Sequence, residues 1–589
     1  MRVNARAQVV AAARGDRPLD LLIEGIRLVN VYTREIYPAD IGVAGGRIVF
    51  AGPGQWDGPA PVCRFDGRGK IAVPGLVDTH LHIESSMITP ANFAAAVLPR
   101  GTTTVMIDPH ELANVLGLRA VRAMLDASAG LPLRVFVQAP SCVPAVPALE
   151  TAGADFGAAE IEVMLGWERV IGLAEVMDYV GVIQQQDRMR RILDVALSRG
   201  VIISGHCPGV GGRELAAYMV AGPDSDHETR DRDQLLEKLR AGMVIEGRVS
   251  SFSESMSVLA DIVRELGHVP PNLVMCTDDI HPEDLLVLGH MDNVVRSAIA
   301  AGFPAIDAVC AATLHGAQRL RQRDLGALAP GKRADILLLD DLDAFSVDEV
   351  FVDGRLIAQG GRMAEELPAL AIDPAVWGTV HLARPSTADD FVLHADMAAR
   401  TARLRVLTFT PNRRRALETL ALPVRDGRVD ISAHPDISFV SVIERHGRTA
   451  NRSLVLVKGL GLQVGATATT VAHDSHNLLV AGRNADDMAL IANAVADAGG
   501  GIGCALDGRI TALLSLPIGG LMSPEPVERL VPEMEALNAA LRRQGLDSQH
   551  PIANLIGMAL PVIPDYGVTD LGLVDVNAQT VVPIWADEA

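Results

Sequence analysis

The chain is predicted to be an α/β protein: a (β/α)₈ barrel of TIM type, a small β-sandwich built from both of its flanks, and a C-terminal α+β domain. Three observations predict it. Between about residues 71 and 320, apolar β-branched runs alternate eight times with amphipathic helical segments, as in a closed parallel sheet covered by helices. Strand-and-turn segments lie on either side of that stretch, and such short strands cannot bury a face without partners. Residues from about 380 onward are long enough for a core of their own. The boundaries follow as 1–74, 75–322, 323–378 and 379–589.

In chain order, MRVNARAQVVAAARGD sets arginines around a short alanine-valine stretch, which suits a targeting peptide or, equally, an amphipathic helix that stays with the protein. LLIEGIRLVNVY, DIGVAGGRIVFAG and VCRFDGRGK are short strands broken by glycine turns. The barrel strands are IAVPGLVD, TTTVMID, LRVFVQA, VIGLAEV, VIISGH, a weak sixth near residue 223, GMVIEG and NLVMCTD. Helices are expected over ELANVLGLRAVRAMLD, QQQDRMRRILDVALSRG and ESMSVLADIVRELG. LGALAPGKRADILLLDDLDAFSVDEVFVDGRLIAQG then returns to strand and turn. In the last region Arg413–Arg415 reads as a solvated loop, and GGGIGCALDG (499–508) as a glycine turn, because it lacks the strand, helix and acidic partner of a dinucleotide site.

Composition excludes several function classes. A formal net charge of −20 disfavours binding nucleic acid through its phosphates. No apolar run is long enough to span a bilayer. Six scattered cysteines, without a CxxC, suit core thiols in a reducing compartment, so a cytoplasmic location is expected.

The chemistry-bearing residues fall at strand ends. His80 and His82 follow the first barrel strand, and alternate residues of an extended segment point the same way, so both imidazoles can reach one ion. Glu175 closes VIGLAE, His206 closes VIISGH, His227 lies in DSDHE and Asp278 closes NLVMCTD. Singly, Glu175 is equally a salt-bridge partner, His206 a strand cap and Asp278 a helix N-cap. Together, on the rim that carries barrel active sites, they would enclose a polar pocket whose burial is costly without a cation. Asp108 and His110 end the second strand, where Asp108 either contacts substrate, orients a ligand or starts the next helix. Ser85 reads as an N-cap or a substrate contact, and His315 as a surface or capping residue.

VPGLVDTHLHIESSMITPANFAAAVLPRGTTTVMIDPHELANVLG (73–117), GLAEVMDY, GHCPG, SDHE, CTDDIHPEDLL and GALAPGKRADI resemble the adenine deaminases of the amidohydrolase superfamily. The resemblance continues through TVAHDSHN (470–477), AGRN and LPIGGLMS. It implies hydrolysis of adenine to hypoxanthine and ammonia by a hydroxide bridging two divalent ions, manganese or iron with zinc as an alternative. His80 and His82 would hold one ion, His206 and His227 the other, with Glu175 between them. Asp278 would bind the first and move the proton, with Asp279 and Glu84 as helpers and Asp108, His110 and Ser85 near the substrate. A homo-oligomer with a small-molecule purine substrate is expected. Two alternatives stand beside this: an amidohydrolase acting on another purine or a cyclic amide, and a non-catalytic barrel paralogue. MVIEGRVSS (243–251) departs from the family pattern, with Arg248 after the glycine, and AHDSHN groups His473, Asp474 and His476 as either site residues or a polar turn.

Overall fold

The computed structural model describes residues 3–586 other than 55, 369–371, 411–413, 549 and 564, with backbone alone at 3–5. Eight parallel strands form the centre: β1 (Leu76–Leu81), β2 (Thr102–Ile107), β3 (Arg134–Ala139), β4 (Val170–Val176), β5 (Ile202–Gly205), β6 (Ser225–Asp226), β7 (Val244–Arg248) and β8 (Leu273–Cys276). They pair as a run of five, β1 to β5, and a run of three, β6 to β8. At one seam Asp278 N donates to His80 O at 3.0 Å, and at the other Asp224 N donates to Ile203 O at 3.0 Å. The ring is therefore TIM-type, and β1, β2 and β8 are buried along their whole length, as continuous apolar runs require. The weak sixth strand is two residues long, because Ser225 and Asp226 are polar and spend their side chains on the neighbouring β5 loop.

Two expected elements are divided. IAVPGLVD breaks at Gly75 into Ile71–Pro74, which joins the flanking sheet, and β1. A Cβ at Gly75 would lie 2.2 Å from Thr103 Oγ1, so the chain passes this crossing only as glycine. ELANVLGLRAVRAMLD forms two helices, His110–Leu116 and Leu118–Ala127, parted at Gly117 with φ +64°. The helices Asp187–Arg199 and Met256–Leu266 fall where the periodicity puts them.

The flanks meet in one nine-stranded sheet. Ile71–Pro74 pairs antiparallel with Ile336–Asp341, welding the strands before the barrel to those after it. Ile23, Ile41, Ile336, Leu338 and Phe351 share one buried cluster inside this sheet.

A second nine-stranded sheet, mostly antiparallel, builds the C-terminal region. The helix Ala485–Asp497 covers it through Met488, Ile491 and Val495. Residues 501–506, within the glycine-rich stretch, form an antiparallel strand of this sheet, so the stretch has no dinucleotide-binding context. The C-terminal region also shares a continuous apolar core with the barrel, in which Leu112 and Val143 join Val440, Leu516 and Leu537. Among the described residues no helix is long and apolar enough to cross a membrane.

Candidate active site

The carboxyl ends of the barrel strands converge on a cavity of about 470 Å³. His82, Glu175, His206, His227 and Asp278 border it, and His80 lies just beneath, fully buried. His80 Nε2 is 3.5 Å from Asp278 Oδ1 and 3.9 Å from Glu175 Oε1; His82 Nε2 is 3.3 Å and 3.5 Å from the same two atoms. The other oxygen of Glu175, Oε2, lies 2.6 Å from His206 Nδ1 and 3.3 Å from His227 Nε2. One carboxylate thus faces two pairs of imidazoles, one pair with each oxygen.

Neighbouring groups fix these side chains. His82 Nδ1 is 2.9 Å from the Asp108 carbonyl oxygen, which leaves Nε2 directed at the carboxylates. The buried Tyr218 hydroxyl accepts from His206 N at 3.0 Å and donates to Val176 O at 2.9 Å. Asp278 sits at φ +58°, a left-handed conformation that costs a non-glycine residue about 1–3 kcal/mol and aims its carboxylate inward. Burial would raise the Glu175 carboxyl, but His206 and His227 beside it hold it well below its usual range. Burial acts likewise on Asp278, and Arg248, His80 and His82 overcome it.

Other predicted site residues take different places. His110 and Asp279 border the cavity. Asp108, Ser85 and Glu84 do not border it. Asp108 Oδ2 holds His110 Nδ1 at 3.0 Å, and Ser85 Oγ donates to Asp279 Oδ1 at 2.5 Å. Glu84 Oε1 accepts from Leu112 N at 3.3 Å in a small void behind the site, where burial pushes its carboxyl up to about 7. His315 is buried rather than on the surface, with Nδ1 3.0 Å from Leu273 O. Arg413 lies outside the described residues, whereas Arg415 is buried beside the cavity and donates to Gly557 O and Tyr566 O, so this run is not simply solvated.

Two site groups, Arg248 and Glu111, had little or no signal in the sequence. Arg248, noted only as a departure, bonds both Asp278 and Glu228 at the cavity wall. Glu111 and the C-terminal His473 and Asp474 also reach the cavity. The C-terminal region supplies an apolar side as well, with Phe409, Ile556, Leu560 and Ile563 facing the polar barrel rim.

The donor set suits divalent cations. Both ring nitrogens of His80 are buried without a hydrogen-bond partner, as is His227 Nδ1, so these imidazoles lack the partners that burial demands. The 3.3–3.9 Å separations around His80, His82, Glu175 and Asp278 fit ligand atoms held about 2.1 Å from a shared ion, which at tetrahedral corners lie about 3.4 Å apart.

The amidohydrolase family pattern matches residues 71–357, and that of the adenine deaminase C-terminal domain matches 414–580. The adenine deaminase of Moorella thermoacetica is 40% identical over 571 residues, 96% of each chain. That of Oleidesulfovibrio alaskensis is 41% identical over 591 residues, covering 99% of this chain and 100% of its own. That of Klebsiella pneumoniae strain 342 is 42% identical over 591 residues, covering 98% and 96%. With near-complete overlap in both directions and this cavity at its centre, the chain belongs to the adenine deaminase family.

Proposed function

We propose that the protein hydrolyses adenine to hypoxanthine and ammonia at a pair of divalent cations. The observation that carries this is Glu175, whose two oxygens each face a histidine pair, set inside a chain that matches adenine deaminases end to end. His80, His82 and Asp278 are assigned to one ion, His206 and His227 to the other, and Glu175 to both; imidazole and carboxylate ligands suit manganese, iron or zinc. When bound, the ions supply a water acidic enough to be a nucleophile near neutral pH. Asp278, ionised and aimed into the cavity, would accept a proton from the attacking water and deliver it to the purine ring nitrogen beside the reacting carbon. Asp279, held by Ser85, stands next to it and shares this proton traffic. Burial and the adjacent Asp278 raise the Asp279 carboxyl, so it holds a proton at higher pH than an ordinary aspartate. His110, held by Asp108, is placed to touch the substrate.

The apolar side built by Phe252, Phe409, Ile556 and Leu560 fits a flat heteroaromatic ring, with the polar rim reading its edge. The boundaries 75–322 for the catalytic barrel and 379–589 for the C-terminal domain belong to the same proposal. The test is a purine panel with protein loaded with manganese or ferrous iron. Loss of adenine with matching hypoxanthine and ammonia supports the reading; a fully metallated protein that leaves adenine unchanged refutes it.

A further inference from the structure

One cluster plays no part in the chemistry above. Glu111, on the helix that follows β2, is 2% exposed, and each of its oxygens is taken by a histidine of the C-terminal region. His473 Nδ1 lies 2.5 Å from Oε1, and His476 Nε2 bonds Oε2. The file of polar groups continues inward: Glu111 Oε1 is 3.5 Å from His110 Nε2, and His110 Nδ1 is 3.7 Å from Glu175 Oε1.

The loop that carries the two histidines is pinned. Arg445, wholly buried, donates to His476 O at 2.9 Å and to Gly519 O at 2.8 Å. Gly520, at φ +71°, leaves the space this requires, since a Cβ there would lie 2.5 Å from Arg445 Nη2. Asn477 accepts from Arg445 N at 3.1 Å and donates to Thr151 O at 2.8 Å, tying the loop to the barrel. The motifs LPIGG and AHDSHN are therefore two halves of one support.

The two histidines differ in what they have left to offer. His476 spends both ring nitrogens inside the support: Nε2 on Glu111, and Nδ1 between Ala472 N at 3.2 Å and Thr470 O at 3.3 Å. His473 spends Nδ1 on Glu111, and its ring borders the cavity that Asp279, His110 and His82 also line.

We propose that His473 is a substrate-binding residue lent to the barrel by the C-terminal region: Glu111 clamps it through Nδ1, and its Nε2–H donates to a ring-nitrogen lone pair of the purine. The proposal rests on the adenine reading. Burial alone would lower the His473 pKa, but Glu111, Asp279 and Asp474 together outweigh burial and raise it to about 9, so at neutral pH the ring is a cation with both nitrogens as donors. A charge-assisted donor suits the unprotonated nitrogens of a purine edge and would be wasted on carbon.

The test uses the full-length, manganese-loaded protein and its His473→Ala variant, with adenine as substrate and 1-, 3- and 7-deazaadenine as competing ligands, each lacking one ring nitrogen. The wild type is expected to bind one deazaadenine at least 10-fold more weakly than the other two. His473→Ala is expected to raise KM for adenine about 10- to 100-fold, a decade being about 1.4 kcal/mol, with a smaller change in kcat and unchanged metal content. It should also abolish the discrimination among the deazaadenines, which a merely structural role would leave intact. A variant that keeps wild-type KM, or keeps the discrimination, overturns the proposal. Should the alanine variant not fold, the wild-type series decides alone: equal affinity for all three analogues overturns it, and unequal affinity supports it. A metallated wild type inert towards adenine refutes the adenine reading instead, so the two failures are distinct.

Discussion

Replacing Lys238 with methionine should weaken both the barrel and one half of the site. Lys238 and Asp226 are each 0% exposed. The ammonium donates to Cys207 O at 2.7 Å, Thr229 Oγ1 at 2.5 Å and Asp226 Oδ2 at 3.0 Å, matching three donors to three acceptors. Asp226 in turn accepts from Cys207 N at 2.9 Å and Thr229 N at 3.2 Å. The pair therefore sets the chain on either side of His206 and His227. Burial would raise the Asp226 carboxyl, and Lys238 holds it well below its usual range instead. Methionine fills the space but leaves that carboxylate buried and unpaired, which costs about 3–5 kcal/mol. For a barrel-sized unit this lowers Tm by about 6–20 °C, at about 2–4 °C per kcal/mol. Thermal unfolding and metal analysis read the two effects, and loss of the ion assigned to His206 and His227 is expected with the lowered Tm. Lys238→Met with Asp226→Asn should recover at least half of the stability, because the unpaired charge is gone. A single variant within 2 °C of wild type in Tm, with two ions bound, would refute this reasoning (a ~1 kcal/mol limit on the same scale).

Other perturbations have definite signs. Arg248→Met removes the cation that holds the Asp278 carboxyl down against burial, so the acid limb of the kcat/KM profile should move to higher pH by about 1–3 units; an unmoved limb contradicts the assigned role. Glu150 is buried with Oε2 unpartnered, and burial, with Asp474 nearby, pushes its carboxyl up to about 8. Its contribution to stability is therefore fully present below about pH 4.5 and is lost as pH rises towards 8. Glu150→Gln should raise Tm at pH 8 and give no gain at pH 4; a gain equal at both pH values counts against it. Arg445→Met should loosen the loop 473–477 and raise KM for adenine with little change in metal content, whereas an unchanged KM would separate that loop from the site.

The six residues assigned to the cations were legible because each ends a strand, and a parallel barrel brings every strand end to one rim. His80 and His82 follow from alternation within an extended segment, and Glu175, His206 and Asp278 from the apolar runs before them. His227 was harder, since β6 is two residues long and its runs are polar. What stayed hidden depends on contacts far apart in the chain. Glu111 stands in the first turn of a helix with no local sign of a role, and its partner His476 lies 365 residues away. Arg415 seemed part of a solvated run because no local pattern shows that Gly557 and Tyr566 cover it. For Asp108 and Ser85, sequence could not separate a side chain that faces the cavity from one that bonds a residue that does, as these two bond His110 and Asp279. The break at Gly117 and the crossing at Gly75 also depend on neighbours from other elements, Ala154 and Thr103.

The account depends above all on two cations sharing Glu175. Anomalous diffraction at the manganese edge, from crystals of the loaded protein, addresses this directly. Two peaks are predicted, one among His80, His82 and Asp278 and one beside His206 and His227, both next to the Glu175 carboxylate, with Glu175→Gln crystals losing at least one. A fully loaded protein with its ions elsewhere, or two peaks undiminished in Glu175→Gln, would contradict it.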